Sequence, residues 1–153
     1  MGTSAGSTRD LPTSSGTAAG GVESSPRLAP GLSARVQLTV TDADTAQALG
    51  SGDVPVLGTP RVLALAEAAT VAATVARLDT GMSSVGVRVE LDHKAAVPVG
   101  GAVVAEATLT EVDGRRLLFE IMVRHGQTIV AEGLVERVVV DRHRFMENSF
   151  GGA

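Results

Sequence analysis

Cysteine is absent from all 153 residues, and so are tryptophan and tyrosine. The first absence excludes disulfides, thiolate metal sites and cysteine nucleophiles. The second leaves Phe119, Phe145 and Phe150 as the whole aromatic inventory, so a core must be built from valine, leucine and alanine. Positive charge is also scarce, with 13 Lys and Arg against 17 Asp and Glu and a net charge of -4. A nucleic-acid partner calls for a basic face, which this balance argues against. No apolar run before residue 31 has the length of a secretory signal, and a soluble, cytoplasmic protein is expected.

What is present suffices for one domain. Residues 1–30 are dominated by Ser, Gly, Thr, Ala and Pro. They lack the apolar surface to offset ordering entropy, which predicts a disordered leader. Residues 31–146 then form the domain, and residues 147–153 a flexible tail within a polar, frayed stretch that starts at Asp141.

The most regular segment runs from Thr59 to Leu78 and reads as one helix. Thr59 is a suitable N-cap, and Pro60 suits the first helical position because its missing N–H needs no partner there. The body is rich in Ala and Leu, both strong helix formers. At 100° per residue only Glu67, Thr70, Thr74 and Arg77 share a polar stripe, so most of the girth is apolar. Such a helix is expected to be buried. It is too short and too polar for a membrane span, and no membrane association is expected.

Before it, residues 32–40 alternate as a strand, and Thr41–Asp44 offer caps for a short helix ending near Leu49. After it, Gly81 ends the helix and the pattern turns to strands. Residues 84–93 place Val85, Val87, Val89, Leu91 and His93 on one face. Residues 102–112, 116–124 and 128–140 follow, joined by turns at Asp113-Gly114 and His125-Gly126-Gln127. Helices collected against one antiparallel sheet make an α+β domain. Five strands curling around one long Ala-rich helix make the hotdog fold.

Four side chains stand out chemically. Glu67 is either a solvated residue on the polar stripe or a carboxylate carried into an enclosed place. Burial raises a carboxylate's pKa and suits it to base or nucleophile work near neutral pH. Thr59 either caps the helix or lends its hydroxyl, with free N–H groups, to a developing oxyanion. The eight residues between Thr59 and Glu67 span roughly 12 Å of helix, too far for direct contact in one chain, although a partner subunit could bridge the gap. His93 ends the apolar face of its strand as a structural or a catalytic histidine. Arg137 shares parity with Val135 and Val139. An arginine on that face needs a carboxylate or an anionic ligand, unless it sits partly exposed near the strand end. His93, His125 and His143 are too scattered to suggest a metal site, and no metal or cofactor is expected.

Several runs together resemble the fluoroacetyl-CoA thioesterase-like family of hotdog proteins. They are residues 50–60 leading into Leu65-Ala66-Glu67, then Ser84-Val85-Gly86, Leu91-Asp92-His93 and Val112-Asp113-Gly114-Arg115. The spacing of Thr59, Glu67 and His93 is the specific part, and the resemblance covers about residues 32–146. It implies thioester hydrolysis of an acyl-CoA, with Glu67 attacking the carbonyl or activating water, Thr59 positioning the reacting group and His93 moving protons. Gly86 would lie beside the acyl group and Arg137 would line the site. The resemblance also implies a homodimer with sites at the subunit interface.

The phenylalanines of the fluoroacetyl-specific pattern have no counterpart in Gly50–Asp53, so a more general short acyl-CoA hydrolase is expected. Gly86 and His93 have opposite strand parity, and a bulge between them is required if both face one pocket. A non-catalytic acyl-CoA-binding module is the alternative. A hotdog hydratase is disfavoured because no Asp or His lies between Thr59 and Leu78.

Overall fold

The computed structural model describes residue 2 and residues 27–151. Most of the expected leader therefore lies outside the described residues. Its last part belongs to the domain: Leu28 is buried in the core, and the Gly31 N–H donates to the Leu109 carbonyl at 2.8 Å. A single leucine among Pro, Arg and Gly is too weak a signal to mark that boundary from sequence.

Apolar alternation produces five strands: β1 (Ser33–Thr39), β2 (Met82–His93), β3 (Ala102–Asp113), β4 (Arg116–His125) and β5 (Thr128–Asp141). All pairings are antiparallel, in the order β1-β3-β4-β5-β2. The expected hairpins join β3 to β4 and β4 to β5, and Gly114 and Gly126 supply the positive φ those turns need. Because the hairpins fill the middle of the sheet, β1 and β2 become its edges.

The long helix is α2 (Thr59–Thr74), prolonged by a 3-10 turn over Val75–Arg77, and Gly81 follows at φ 85°. Val62, Leu65, Ala66, Ala69 and Ala73 are its buried apolar side, which lies chiefly on β1 and β3. Buried alanines at 66, 69 and 73 on the helix, and at 105, 107 and 131 on the strands, let helix and sheet approach closely. Phe119 on β4 is the aromatic of this core, fully buried among valines and leucines.

Several expectations are corrected. Gly58, not Thr59, is the N-cap, with φ -80° and ψ 145°, and Thr59 is the first helical residue. That frees its hydroxyl from capping. The short helix divides into a 3-10 turn over Asp42–Asp44 and α1 (Ala46–Leu49), which Thr45 caps by accepting from Ala48 N at 3.1 Å. The polar stripe of α2 is not a solvated face. Thr70 and Thr74 are buried, and their hydroxyls donate to the carbonyls of Glu67 and Thr70 at 2.6 and 3.1 Å.

Strand β2 also departs from simple alternation. Gly86 pairs with Arg137 and Arg88 with Glu136, which leaves Val87 as a bulge residue, 52% exposed. Val85 and Val87 therefore do not share a face with Val89, Leu91 and His93. The extra residue restores Gly86 and His93 to one face, the arrangement their parity demanded. Finally, α3 (Arg142–Gly151) replaces the frayed tail. Asp141 caps it by accepting from Arg144 N at 3.0 Å, and none of its residues is buried. Among the described residues no helix is long and apolar enough to cross a membrane.

Candidate active site

Edge strand β2 and helix α2 bring the candidate side chains into two groups. The first joins the helix start to the strand end. Thr59 Oγ1 and His93 Nδ1 share a hydrogen bond of 2.8 Å, and His93 Nε2 is buried without a partner among the described residues. When Nδ1 accepts from the threonine hydroxyl, Nε2 carries the ring proton; when Nδ1 donates, Nε2 is a free base. In either tautomer the orphaned nitrogen is the one available for chemistry.

The second group lies farther along α2. Glu67 Oε2 accepts from Arg137 Nη1 at 3.1 Å, with side-chain exposures of 33% and 7%. Arg137 is anchored on its other side by Ser84, whose Oγ accepts from Nε at 2.9 Å and whose carbonyl accepts from Nη2 at 2.8 Å. Burial pushes the guanidinium below its ordinary pKa, and the charge of Glu67 and its hydrogen bond offset part of that shift. Arginine remains charged in proteins, so the contact sets a guanidinium beside the Glu67 carboxylate. Glu67 is thus a partly exposed, ion-paired carboxylate, and neither of the two readings drawn from periodicity describes it. Arg137 is buried and partnered, on the face its parity indicated.

Gly86 completes this group by what it leaves out. A Cβ on residue 86 would stand 2.4 Å from Glu67 Oε2. Only glycine lets the carboxylate lie against β2, so its contribution is a backbone one. Among the described residues no hydrogen bond connects this group to Thr59 and His93, in keeping with the helical distance between residues 59 and 67.

Sequence reasoning missed the part played by Ser84. Its signal was available: a buried arginine needs acceptors for its remaining donors, and residue 84 precedes Gly86 by two on the same strand face.

A family model described as fluoroacetyl-CoA-specific thioesterase matches residues 40–143. The chain belongs to this family. Relatives of the fluoroacetyl-CoA-specific thioesterase family agree with it in sequence and shape. A fluoroacetyl-CoA thioesterase from Streptantibioticus cattleyicolor is 33% identical over 90 residues, which are 59% of this chain and 65% of that relative. The match thus spans a little under two thirds of that relative's length. The crystal structure of a single-residue variant of a fluoroacetyl-CoA-specific thioesterase superposes with a TM-score of 0.77 at 26% identity, covering 82% of this chain and 98% of the other. A hot-dog-like protein from Thermanaerovibrio acidaminovorans gives 0.76 at 26% identity, over 82% and 93% of the two chains. The hotdog fold expected from the strand and helix pattern is therefore the fold of this family member. Its loop over Gly50–Asp53, where the fluoroacetyl-specific pattern carries phenylalanines, is fully exposed and bears no large side chain.

Proposed function

We propose that this chain hydrolyses small acyl-CoA thioesters to a carboxylate and free CoA, without strong selectivity for fluoroacetyl, as a homodimer. The observation that carries this reading is the Glu67 carboxylate held by Arg137 at 3.1 Å against the bare backbone of Gly86. A fixed anion beside a backbone surface of an edge strand is what attack on a flat acyl carbonyl requires. The ionised carboxylate serves direct attack and the activation of water equally. In the second route Glu67 takes a proton from water, the water oxygen bonds to the acyl carbon, and the carbonyl electrons move onto oxygen. Collapse of that tetrahedral species expels the thiolate of CoA, which receives a proton, and leaves the acid.

Thr59 stands in the first turn of α2, where N–H groups lack intrahelical partners and the helix dipole favours negative charge. It suits the developing oxyanion, and His93, hydrogen-bonded to it, suits proton transfer to the leaving sulfur. These two residues have to meet Glu67, and a second subunit offers a route. Strand β2 is an edge. Antiparallel pairing with the partner subunit's β2 about an axis at Glu90 would set His93 opposite the partner subunit's Gly86, because with Val87 bulged Glu90 lies midway between residues 86 and 93 along the ladder. Each of two equivalent sites would then combine Thr59 and His93 of one subunit with Glu67 and Arg137 of the other. The cysteine-free sequence and the substrate class fit a cytoplasmic place of action.

The test is release of free thiol from a panel of acyl-CoAs by the wild-type protein and by Glu67→Gln. Turnover of several small acyl-CoAs, reduced at least about a hundredfold in the variant, is expected. Tight CoA-ester binding with no turnover across the panel would contradict the reading and favour a binding module.

A further inference from the structure

The family match ends at residue 143, so α3 lies almost wholly beyond it. The candidate active site does not use this helix, yet none of its residues is buried and Phe145 is 40% exposed. Arg142 and Phe145 stand three residues apart, as neighbours on one face. Arg144, two residues from Arg142, points to the other side.

Most cations of the domain are engaged. Arg35, Arg61, Arg88, Lys94, Arg116 and Arg137 each hold a carboxylate. Arg77, Arg124, Arg142 and Arg144 pair with no carboxylate among the described residues, and three of these four lie at one corner. Arg77 ends the 3-10 turn after α2, and Arg142 opens α3 with its N–H donating to the Gly81 carbonyl at 3.0 Å.

A groove of about 320 Å³ joins this corner to the candidate active site. Leu78, Asp79 and Arg142 line it on the corner's side, and Ser84, which anchors Arg137, on the side of Glu67. Its wall is mixed, with Thr74 and Ser83 beside Val71 and Val75. Such a lining suits an arm of amides and methylenes rather than a hydrocarbon. Two elements give its length: roughly 15 Å of helix separate Glu67 from Arg77, and roughly 16 Å of strand separate Arg137 from Arg142.

We infer that this corner binds the nucleotide end of CoA. Arg77 and Arg142 take its phosphates, the exposed ring of Phe145 stacks on the adenine, and the groove carries the pantetheine arm to the thioester at Glu67. Guanidinium forks match phosphate oxygens, and an aromatic face is a platform for a base. On a chain with a net charge of -4, a polyanionic ligand depends on such a local concentration of unpaired arginine. Asp79, a carboxylate in the wall, opposes the phosphates. The inference rests on the proposed thioesterase reading. In the dimer proposed there, the partner subunit's His93 stands beside Gly86, so the thiol departs two residues from Ser84 of the groove.

The experiment measures kcat and KM for acetyl-CoA and for acetyl-pantetheine, which has the thioester and the arm but no nucleotide. Equilibrium binding of CoA is measured in parallel. The proteins are full-length wild type, Arg77→Gln, Arg142→Gln, Phe145→Ala, Asp79→Asn and, as a control removing the same charge from the other side of α3, Arg144→Gln. Arg77, Asp79, Arg142 and Phe145 are exposed, so these substitutions leave the core intact. Arg77→Gln and Arg142→Gln should each raise KM for acetyl-CoA and Kd for CoA about tenfold, and Phe145→Ala about fivefold. Their kcat and their turnover of acetyl-pantetheine should stay at the wild-type level. Asp79→Asn should tighten CoA binding, and Arg144→Gln should match the wild type. Equal losses on both esters, or an Arg144→Gln defect as large as that of Arg142→Gln, would overturn the nucleotide site and leave the thioesterase reading intact. Preference for an acyl carrier-protein thioester over acetyl-CoA would overturn it as well. If no ester is turned over, the hydrolytic reading fails, yet CoA binding that weakens in Arg77→Gln and Arg142→Gln but not in Arg144→Gln still supports the site. CoA binding indifferent to all three would overturn it.

Discussion

Gly86→Ala isolates the geometry of the site from the stability of the fold. The added methyl carbon would stand 2.4 Å from Glu67 Oε2, whereas ordinary contact begins near 3.4 Å. Either the carboxylate or the strand must give by about 1 Å. The carboxylate is the softer of the two, because β2 is fastened to β5 on both sides of the bulge. A misplacement of about 1 Å in a reacting group costs roughly a hundredfold in rate. Stability should move little. Gly86 is not among the glycines with positive φ, so alanine meets no backbone strain there. Alanine at a compatible position gains about 0.4–1 kcal/mol by restricting the unfolded chain, which offsets strain at the carboxylate. The expected outcome is kcat/KM for a small acyl-CoA lower by about a hundredfold, with Tm within about 5 °C of wild type. A folded Gly86→Ala protein retaining kcat/KM within about threefold of wild type would refute the placement of Glu67 against β2.

Arg137→Lys keeps the charge but cannot span Ser84 and Glu67 together, since an ammonium lacks the planar fork. Losing about 2 kcal/mol of charged hydrogen bonding to Glu67 predicts kcat/KM lower by roughly thirtyfold, measured by thiol release. Asp44 is held below the usual carboxylate range, first by the Thr41 backbone N–H, against burial, and further by the Thr41 hydroxyl and Arg61. A depressed folded pKa means its contribution is present at neutral pH and is lost as pH falls below about 4. Urea unfolding of Asp44→Asn should therefore show a deficit of about 1–2 kcal/mol at pH 7 that shrinks toward pH 3.

Much of the fold is legible because local and long-range signals coincide. Strands β3, β4 and β5 alternate over most of their length, interrupted by register shifts at Leu109/Glu111 and Val123/Arg124, and Asp113-Gly114 and Gly126 punctuate them where the turns occur. The bulge in β2 is legible only as a requirement. Nothing in the run Val85 to Leu91 marks Val87 as the extra residue, and the pairing with β5 selects it. Leu28 is hidden because one apolar side chain in a polar leader gives no periodicity. The α3 helix is hidden because its faces remain uncovered, so it lacks the amphipathic pattern on which the expectation rests.

In the candidate site, parity indicated Arg137, and Thr59, Glu67 and His93 came together only as what the family resemblance implies. Their division into two groups followed from the rise of a helix alone. Ser84 was legible only indirectly, through the acceptors that a buried arginine needs, because a serine near a strand start looks the same whether it faces water or holds a guanidinium. The release of Thr59 from capping was equally hidden, since glycine and threonine both make acceptable caps.

Subunit complementation tests directly whether one reaction centre is drawn from two subunits. Glu67→Gln and His93→Ala proteins, each inactive alone, are mixed, dissociated and reassociated, and thiol release from a small acyl-CoA is followed. A heterodimer holds one site with wild-type Thr59, His93 and Glu67, so statistical reassociation should restore about a quarter of wild-type activity. Activity that stays at the level of the separate variants, with heterodimers shown to form, would contradict a shared site.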